Sequence, residues 1–288
     1  MIDSFKQAQD SFADSLRQAG KANATVIAYA KDIEQLLGYM EEIGRTGLSE
    51  IKSEDIDEFK ELLKRQRYTS KSVSRKLNSI KAFFRFMMTS NTLVQNPADS
   101  VAHPKFDQSI PRILSRMEYR ALRDACRPDL RMAAVVELLL QTGMRISELA
   151  ALEIQEVDLD HNVASVKAQN SRGERKVPLN AAAKRALTEY LAIRPRAREK
   201  TLFLTKTCRP FLVRNIRTAL DRYFRLAGIR DAKVNDLRHT FIVEQLKAGT
   251  PLVYVSQLVG HKRITTTEKY LQFIEAPDLA PSVQIEEL

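Results

Sequence analysis

Apolar residues recur at helical spacing along most of the chain, and over one stretch they alternate instead. The N-terminal segment MIDSFKQAQDSFADSLRQ reads as an amphipathic helix with acids in it. Tyr29, Ile33, Leu36, Leu37 and Met40 form a further stripe, Ser53 followed by Glu54 and Asp55 opens another helix, and Val73, Leu77, Ile80, Phe84 and Met87 stripe the next. The opposite face of that last helix carries Ser74, Asn78, Lys81 and Arg85, polar and basic groups suited to phosphate contacts, although a solvated face has the same look. The period vanishes between Asn96-Pro97 and Ile110-Pro111, where Pro97, Pro104 and Pro111 push the residues before them toward extended conformations. We expect an N-terminal helical domain over 1–101, a linker over 102–112 holding His103 and Lys105, and a second domain over 113–288.

The second domain opens on a capping box, Ser115-Arg116-Met117-Glu118, followed by a buried helix over Ala133–Leu140. From Glu153 to Leu179 the period is two: Ile154, Val157 and Leu159, then Val163, Ser165 and Lys167, then Arg175, Val177 and Leu179. This predicts a small antiparallel sheet, with turns at Asp160-His161-Asn162 and Asn170-Ser171-Arg172-Gly173. Helices return over Ala181–Ile193, Phe211–Ala227, Asn235–Ala248 and Val253–Val259. The expected class is mainly α, a helical N-terminal domain followed by a mixed helical domain with one small antiparallel β-sheet.

Composition narrows the function. Forty-six Lys and Arg against 36 Asp and Glu give a net charge of +10, which favours a polyanionic partner, nucleic acid first. No apolar run reaches membrane-spanning length and the N-terminal segment is unlike a signal or transit peptide, so we expect the chain in the cytoplasm or on the nucleoid. Cys126 and Cys208 lack metal-ligand spacing, and there is no Gly-rich phosphate loop or Ser-His-Asp arrangement for small-molecule chemistry. No cofactor or metal is expected.

Four segments, in order, carry the chemistry: Thr142-Gly143-Met144-Arg145-Ile146-Ser147-Glu148-Leu149, Glu174-Arg175-Lys176-Val177-Pro178-Leu179, Asp236-Leu237-Arg238-His239-Thr240-Phe241, and Gly260-His261 running to Tyr270. With these the chain resembles the tyrosine site-specific recombinases, the lambda-integrase-like family of Xer type. The resemblance covers almost the whole chain. It implies a SAM-like helical DNA-binding domain ahead of a catalytic domain, and cleavage and rejoining of DNA through a covalent 3′-phosphotyrosine, without metal or ATP. By the match to the family, Arg145 and Arg238 take the phosphate. Guanidinium forks bind its oxygens bidentately and stay charged at working pH. Tyr270 becomes the nucleophile, His261 donates to the scissile phosphate or the attacking oxygen, and Glu148 steadies a catalytic side chain or the local backbone. Taken singly, Arg145 reads as a surface partner of Glu148, Arg238 as a basic residue beside Asp236, and Tyr270 as a half-buried aromatic. His239, about 100° around the helix from Arg238, is expected in packing.

Two positions depart from the family. Asn235 stands where members usually carry a histidine; an amide can hydrogen-bond phosphate but cannot accept the proton of a phenol of ordinary pKa near 10. The hairpin lysine that protonates the leaving 5′-oxygen in the family falls, by gapless counting, on Gln169, which leaves Lys167 as the candidate and Arg172 in the turn as a DNA contact. Alternatives are a recombinase-like protein that binds DNA without cutting it, and a type IB topoisomerase. The resemblance further implies duplex DNA with a specific recombination site and a protein monomeric when free. It implies a homo-tetramer on two duplexes with the tail after Tyr270 docked in trans, and an accessory or partner recombinase. Chromosome-dimer resolution and movement of an integrative element both fit these motifs.

Overall fold

Short polar side chains take up the first orphan amides of the helices and so set where each one starts. In the computed structural model Ser4 Oγ accepts the Gln7 N–H (3.2 Å), Thr69 Oγ1 that of Ser72 (3.2 Å), Asp129 Oδ1 that of Met132 (3.1 Å) and Asn180 Oδ1 that of Ala183 (3.0 Å). The structure describes residues 4–105, 110–168 and 173–274. It divides into two units, Met1–Ser109 and Ile110–Leu288.

The first unit packs α1 (Phe5–Gln18), α2 (Asn23–Glu42), α3 (Ser53–Arg65) and α4 (Ser70–Thr89) around Phe12, Ile33, Leu36, Phe59, Phe83 and Phe84. The stripes read from the sequence face this core: Ile33, Leu36, Leu37 and Met40 of α2 and Val73, Leu77, Ile80, Phe84 and Met87 of α4 are buried. Asp32 is buried too, and its carboxylate accepts from Arg75 (2.6 and 2.8 Å), Lys76 (2.9 Å) and Ser79 (2.8 Å), tying α2 to α4 through paired charge. On the other face of α4, Ser74 Oγ lies 3.0 Å from His103 Nδ1 and Lys81 Nζ donates to the Asp99 carbonyl (3.3 Å), while Asn78 and Arg85 stand exposed.

The second unit is built on α6 (Leu130–Thr142), buried along nearly its whole length between α5 (Arg116–Cys126), α8 (Ala181–Ile193) and α10 (Val234–Lys247). The expected capping box forms at α5, where Ser115 Oγ accepts the Glu118 N–H (3.2 Å) and Glu118 returns a carboxylate to the Ser115 N–H (2.8 Å). The chain continues through α7 (Ile146–Ala151), a three-stranded antiparallel sheet in the order β1 (Val157–Asp158), β2 (Val163–Val166), β3 (Arg175–Pro178), then α9 (Val213–Leu226), α11 (Leu252–Val259) and α12 (Thr265–Glu268). The sheet pairs Ala164 with Val177 and Val166 with Arg175, and Val177 and Ala164 face the core. Its strands are shorter than the alternation predicted. Ile154 belongs to a single 3₁₀ turn, because the Glu156 carboxylate accepts the Glu153 N–H (2.7 Å) and so competes with the ladder; Lys167 lies one residue beyond β2. None of the described helices is long and apolar enough to cross a membrane.

Gly143 ends α6 in the left-handed region (φ 60°) and turns the chain into Arg145. A Cβ there would fall within 3.0 Å of three atoms of the Phe241 ring on α10, so the glycine is required twice over, for its backbone and for its lack of a side chain. Gly143→Ala is therefore expected to destabilise the second unit by about 2–5 kcal/mol, summing left-handed strain and overpacking. A lowered urea midpoint with an unchanged slope would show this; a wild-type midpoint would contradict it.

Candidate active site

The last carbonyls of α11 have no amide ahead of them, because Gly260 turns left-handed (φ 65°) and ends the helix. Guanidinium groups from three elements occupy them. Arg175, on β3, donates from Nε to the Leu258 carbonyl (2.7 Å). Arg145, at the start of α7, donates from Nη1 to Val259 (3.1 Å) and from Nη2 to Gly260 (2.9 Å). Arg238, on α10, donates from Nη2 to Val259 (2.7 Å) and from Nη1 to the carbonyl of Gly143. The carboxyl end of a helix is negative by its aligned dipoles, which favours cations there.

Three like charges need a counter-ion, and Glu148 supplies it. Its side chain is 3% exposed. Oε1 accepts from Arg145 Nη1 (2.9 Å) and Arg175 Nη1 (3.1 Å), while Oε2 accepts from the Arg145 amide (2.8 Å) and Arg175 Nη2 (2.7 Å). Burial alone would raise its pKa, but these bonds, Arg175's first, hold it at about 2. Among the described residues no carboxylate hydrogen-bonds Arg238: burial, then the Arg145 charge, pull its guanidinium down to about 9, still cationic at neutral pH.

Tyr270 is 6% exposed and joins a satellite core with Phe241, Val243, Val255 and Val259 of α10 and α11. Its ring neighbours two imidazoles, tilted against His239 (centroids 5.9 Å) and stacked on His261 (6.4 Å, 15°). Burial raises the pKa of the phenol and the Arg238 charge opposes that rise. His261 is fixed by its Nδ1 at 2.8 Å from Thr267 Oγ1, a fully buried hydroxyl on α12. A cleft of about 400 Å³ opens beside Arg238 and Asn235, walled by Arg217 and Lys233.

Residues 112–275 match the phage integrase family, and residues 10–91 match the phage integrase N-terminal SAM-like domain. The chain belongs to the phage integrase family. A tyrosine recombinase XerC of Roseiflexus sp. (strain RS-1) is 31% identical to it over 269 residues, spanning 89% of this chain and 86% of the relative. Among solved structures it is similar to the XerA recombinase, at 26% identity and TM-score 0.53 over 92% of both chains. It shares the fold of a lambda integrase tetramer bound to a Holliday junction, at 16% identity and TM-score 0.75 over 91% of this chain and 78% of that one. The mainly helical architecture with its small sheet is the family's, and the protein is a site-specific tyrosine recombinase that cleaves and rejoins DNA. The non-cutting and topoisomerase alternatives gain nothing from these relatives.

Within this integrase the structure gathers Arg145, Glu148, Arg238, His261 and Tyr270 around the end of α11. Asn235 reaches the group indirectly: its Nδ2 donates to His239 Nε2 (3.0 Å), so the imidazole expected to be mere packing packs on Tyr270 itself. Lys167 stands elsewhere. Its Nζ pairs with Glu156 (2.8 Å) and Glu153 (3.1 Å), it is 53% exposed, and these carboxylates, Glu156 first, raise its pKa. To serve as the proton donor it must leave them. Gln169 and Arg172 lie outside the described residues. Arg175 went unremarked in the sequence beyond its motif; its one local signal is a charge at a strand position next but one to the buried Val177.

A Glu148 carboxyl held at about 2 rather than the ordinary 4.5 contributes on the order of 3 kcal/mol at neutral pH. Its folded-state pKa is depressed, so this stabilisation is full above 4.5 and fades as pH falls toward 2. Glu148→Gln is therefore expected to unfold at lower urea at pH 7, with the gap to wild type closing below pH 4. Urea titrations across this range decide it, and a pH-independent gap would contradict the assignment.

Proposed function

We propose that Tyr270 is the nucleophile and that Arg145 and Arg238 grip the scissile phosphate. The observation that carries this reading is the convergence of both guanidinia on the end of α11, with Tyr270 packed against the same helix. Tyr270 Oη attacks phosphorus, the bond to the 5′-oxygen breaks, and a 3′-phosphotyrosine forms. The phenolic proton leaves for solvent and the 5′-oxygen takes one up to depart as a hydroxyl. The attack of a 5′-hydroxyl on the phosphotyrosine reverses these steps and reseals the strand, so bond energy is conserved and ATP is not needed. Negative charge growing on the nonbridging oxygens is met by Arg145 and Arg238, with His261 donating a further hydrogen bond. Asn235 donates to phosphate and accepts no proton. Lys167, released from Glu156 and Glu153, protonates the leaving oxygen.

The substrate is duplex DNA carrying a specific recombination site. The contacts from Ser74, Asn78, Lys81 and Arg85 on α4, and from Arg172, are made to its backbone. The protein is a monomer when free and a tetramer on two duplexes, the assembly that the lambda integrase neighbour takes on its Holliday junction.

On a suicide duplex nicked so that religation fails, Tyr270→Phe is expected to abolish the covalent adduct and to leave half-site affinity within about threefold, since the arginines and basic surfaces supply the binding. Arg145→Ala and Arg238→Ala should each slow cleavage on the order of a hundredfold or more. An adduct in Tyr270→Phe, or wild-type cleavage in either arginine variant, would contradict the roles.

The pH dependence follows from the same groups. Burial puts the phenol above its ordinary pKa of 10, so its ionised fraction climbs across pH 6–9, and with an amide at position 235 cleavage is expected to climb with it. Asn235→His, which restores a proton acceptor, should move that limb toward neutral pH. An unchanged pH–rate profile would contradict the account of Asn235.

A further inference from the structure

We propose that Arg175 is a positioning residue for the cleavage reaction, acting by holding Glu148 in a state that leaves Arg145 aimed at the scissile phosphate; this rests on the roles assigned to Arg145 and Tyr270 above. The geometry assigns all three guanidinium nitrogens of Arg175 to protein acceptors: Nη1 and Nη2 to the two oxygens of Glu148 (3.1 and 2.7 Å) and Nε to the Leu258 carbonyl (2.7 Å). Its side chain is 12% exposed, and the flat face of the guanidinium lies over Gly260, where an added Cβ would sit 3.1–3.3 Å from Nη1, Cζ and Nε. A side chain with each nitrogen on a protein acceptor fixes its neighbours.

Glu148 accepts four hydrogen bonds, and Arg175 makes two of them in a fork. The Arg145 guanidinium meets Oε1 through Nη1 and its amide meets Oε2, while Nη2 is drawn to the Gly260 carbonyl beside His261. Without Arg175, the Oε2 that now takes one prong of its fork has room for the guanidinium of Arg145, the residue that caps this short helix. The pair then closes into a bidentate bridge that neutralises the guanidinium and swings it off the end of α11. Arg175 also pairs through its backbone with Val166, the residue before Lys167, so one residue takes part in the strand that leads to Lys167 and holds the carboxylate that sets Arg145. Lysine cannot replace it, since an ammonium is one point of charge without the planar fork.

The test compares Arg175→Gln, Arg175→Lys, Arg145→Ala and the double variant Arg145→Ala/Arg175→Gln. Single-turnover cleavage is followed on the suicide duplex, with an ordinary scissile phosphate and with a methylphosphonate there, alongside half-site affinity and melting temperature. Both Arg175 variants are expected to cleave the ordinary duplex about a hundredfold more slowly, as for a misplaced catalytic group, with half-site affinity within about threefold. The double variant should be little slower than Arg145→Ala alone, because both changes remove the same contribution. On the methylphosphonate, which lacks the charge that Arg145 meets, the Arg175 deficit should shrink by a similar factor to that of Arg145→Ala; a purely structural defect would persist.

Deficits that multiply in the double variant, or that survive the methylphosphonate undiminished, would overturn the inference. Should Arg175→Gln fail to fold, the charge-keeping Arg175→Lys decides alone: a wild-type rate in it overturns the inference. If Arg145→Ala itself cleaves normally, the assignment of Arg145 falls, whereas a normal Arg175→Lys beside a dead Arg145→Ala removes only the role given to Arg175.

Discussion

The catalytic unit depends on one buried carboxylate shared between two guanidinium groups at the end of a helix. Glu148 lets Arg145 and Arg175 approach each other without mutual repulsion, and the exposed carbonyls of α11 give both, and Arg238, a second set of acceptors. Three cations against one anion leave the cluster positive in a place where water is scarce. Burial first, and then the Arg145 charge, hold the Arg238 pKa below its ordinary value. Under the proposed mechanism a phosphate balances this charge, and the cluster meets the negative charge that grows on its oxygens.

The surrounding architecture serves this convergence. Gly143 stops α6 and turns Arg145 inward, and the carbonyl of that glycine accepts from Arg238 on α10. β3 brings Arg175 across from the sheet, and the left-handed Gly260 both exposes the α11 carbonyls and makes room for the Arg175 guanidinium. Tyr270 is held by burial against α10 and α11 rather than displayed to solvent. The first unit carries an analogous device in Asp32, whose carboxylate gathers Arg75, Lys76 and Ser79, yet its cations are spent on holding α2 to α4.

What could be read from the sequence was whatever leaves a periodic trace. The stripes of α2 and α4, the capping box of α5 and the pairing of β2 with β3 follow from which residues must be buried and which amides must be capped. The alternation misled at Ile154, where a local carboxylate-to-amide bond outbid the ladder and made a turn. The contacts of Arg175 escaped because they reach Glu148 and a backbone carbonyl far along the chain, and His239, expected in packing, packs on a ring, Tyr270, that no spacing encodes. Lys167 shows the converse: a residue chosen by its type and strand position, whose nearest acids, Glu153 and Glu156, pair with it.

The central claim is that a phosphate held at the Arg145–Arg238 end of α11 is attacked by the phenol buried beside it. The most direct measurement is to trap the wild-type protein on the nicked duplex, digest the adduct and locate the nucleotide by mass spectrometry. The account predicts a single modified peptide, with the phosphodiester on Tyr270. Attachment to any other residue, or efficient cleavage with no covalent adduct, would contradict it.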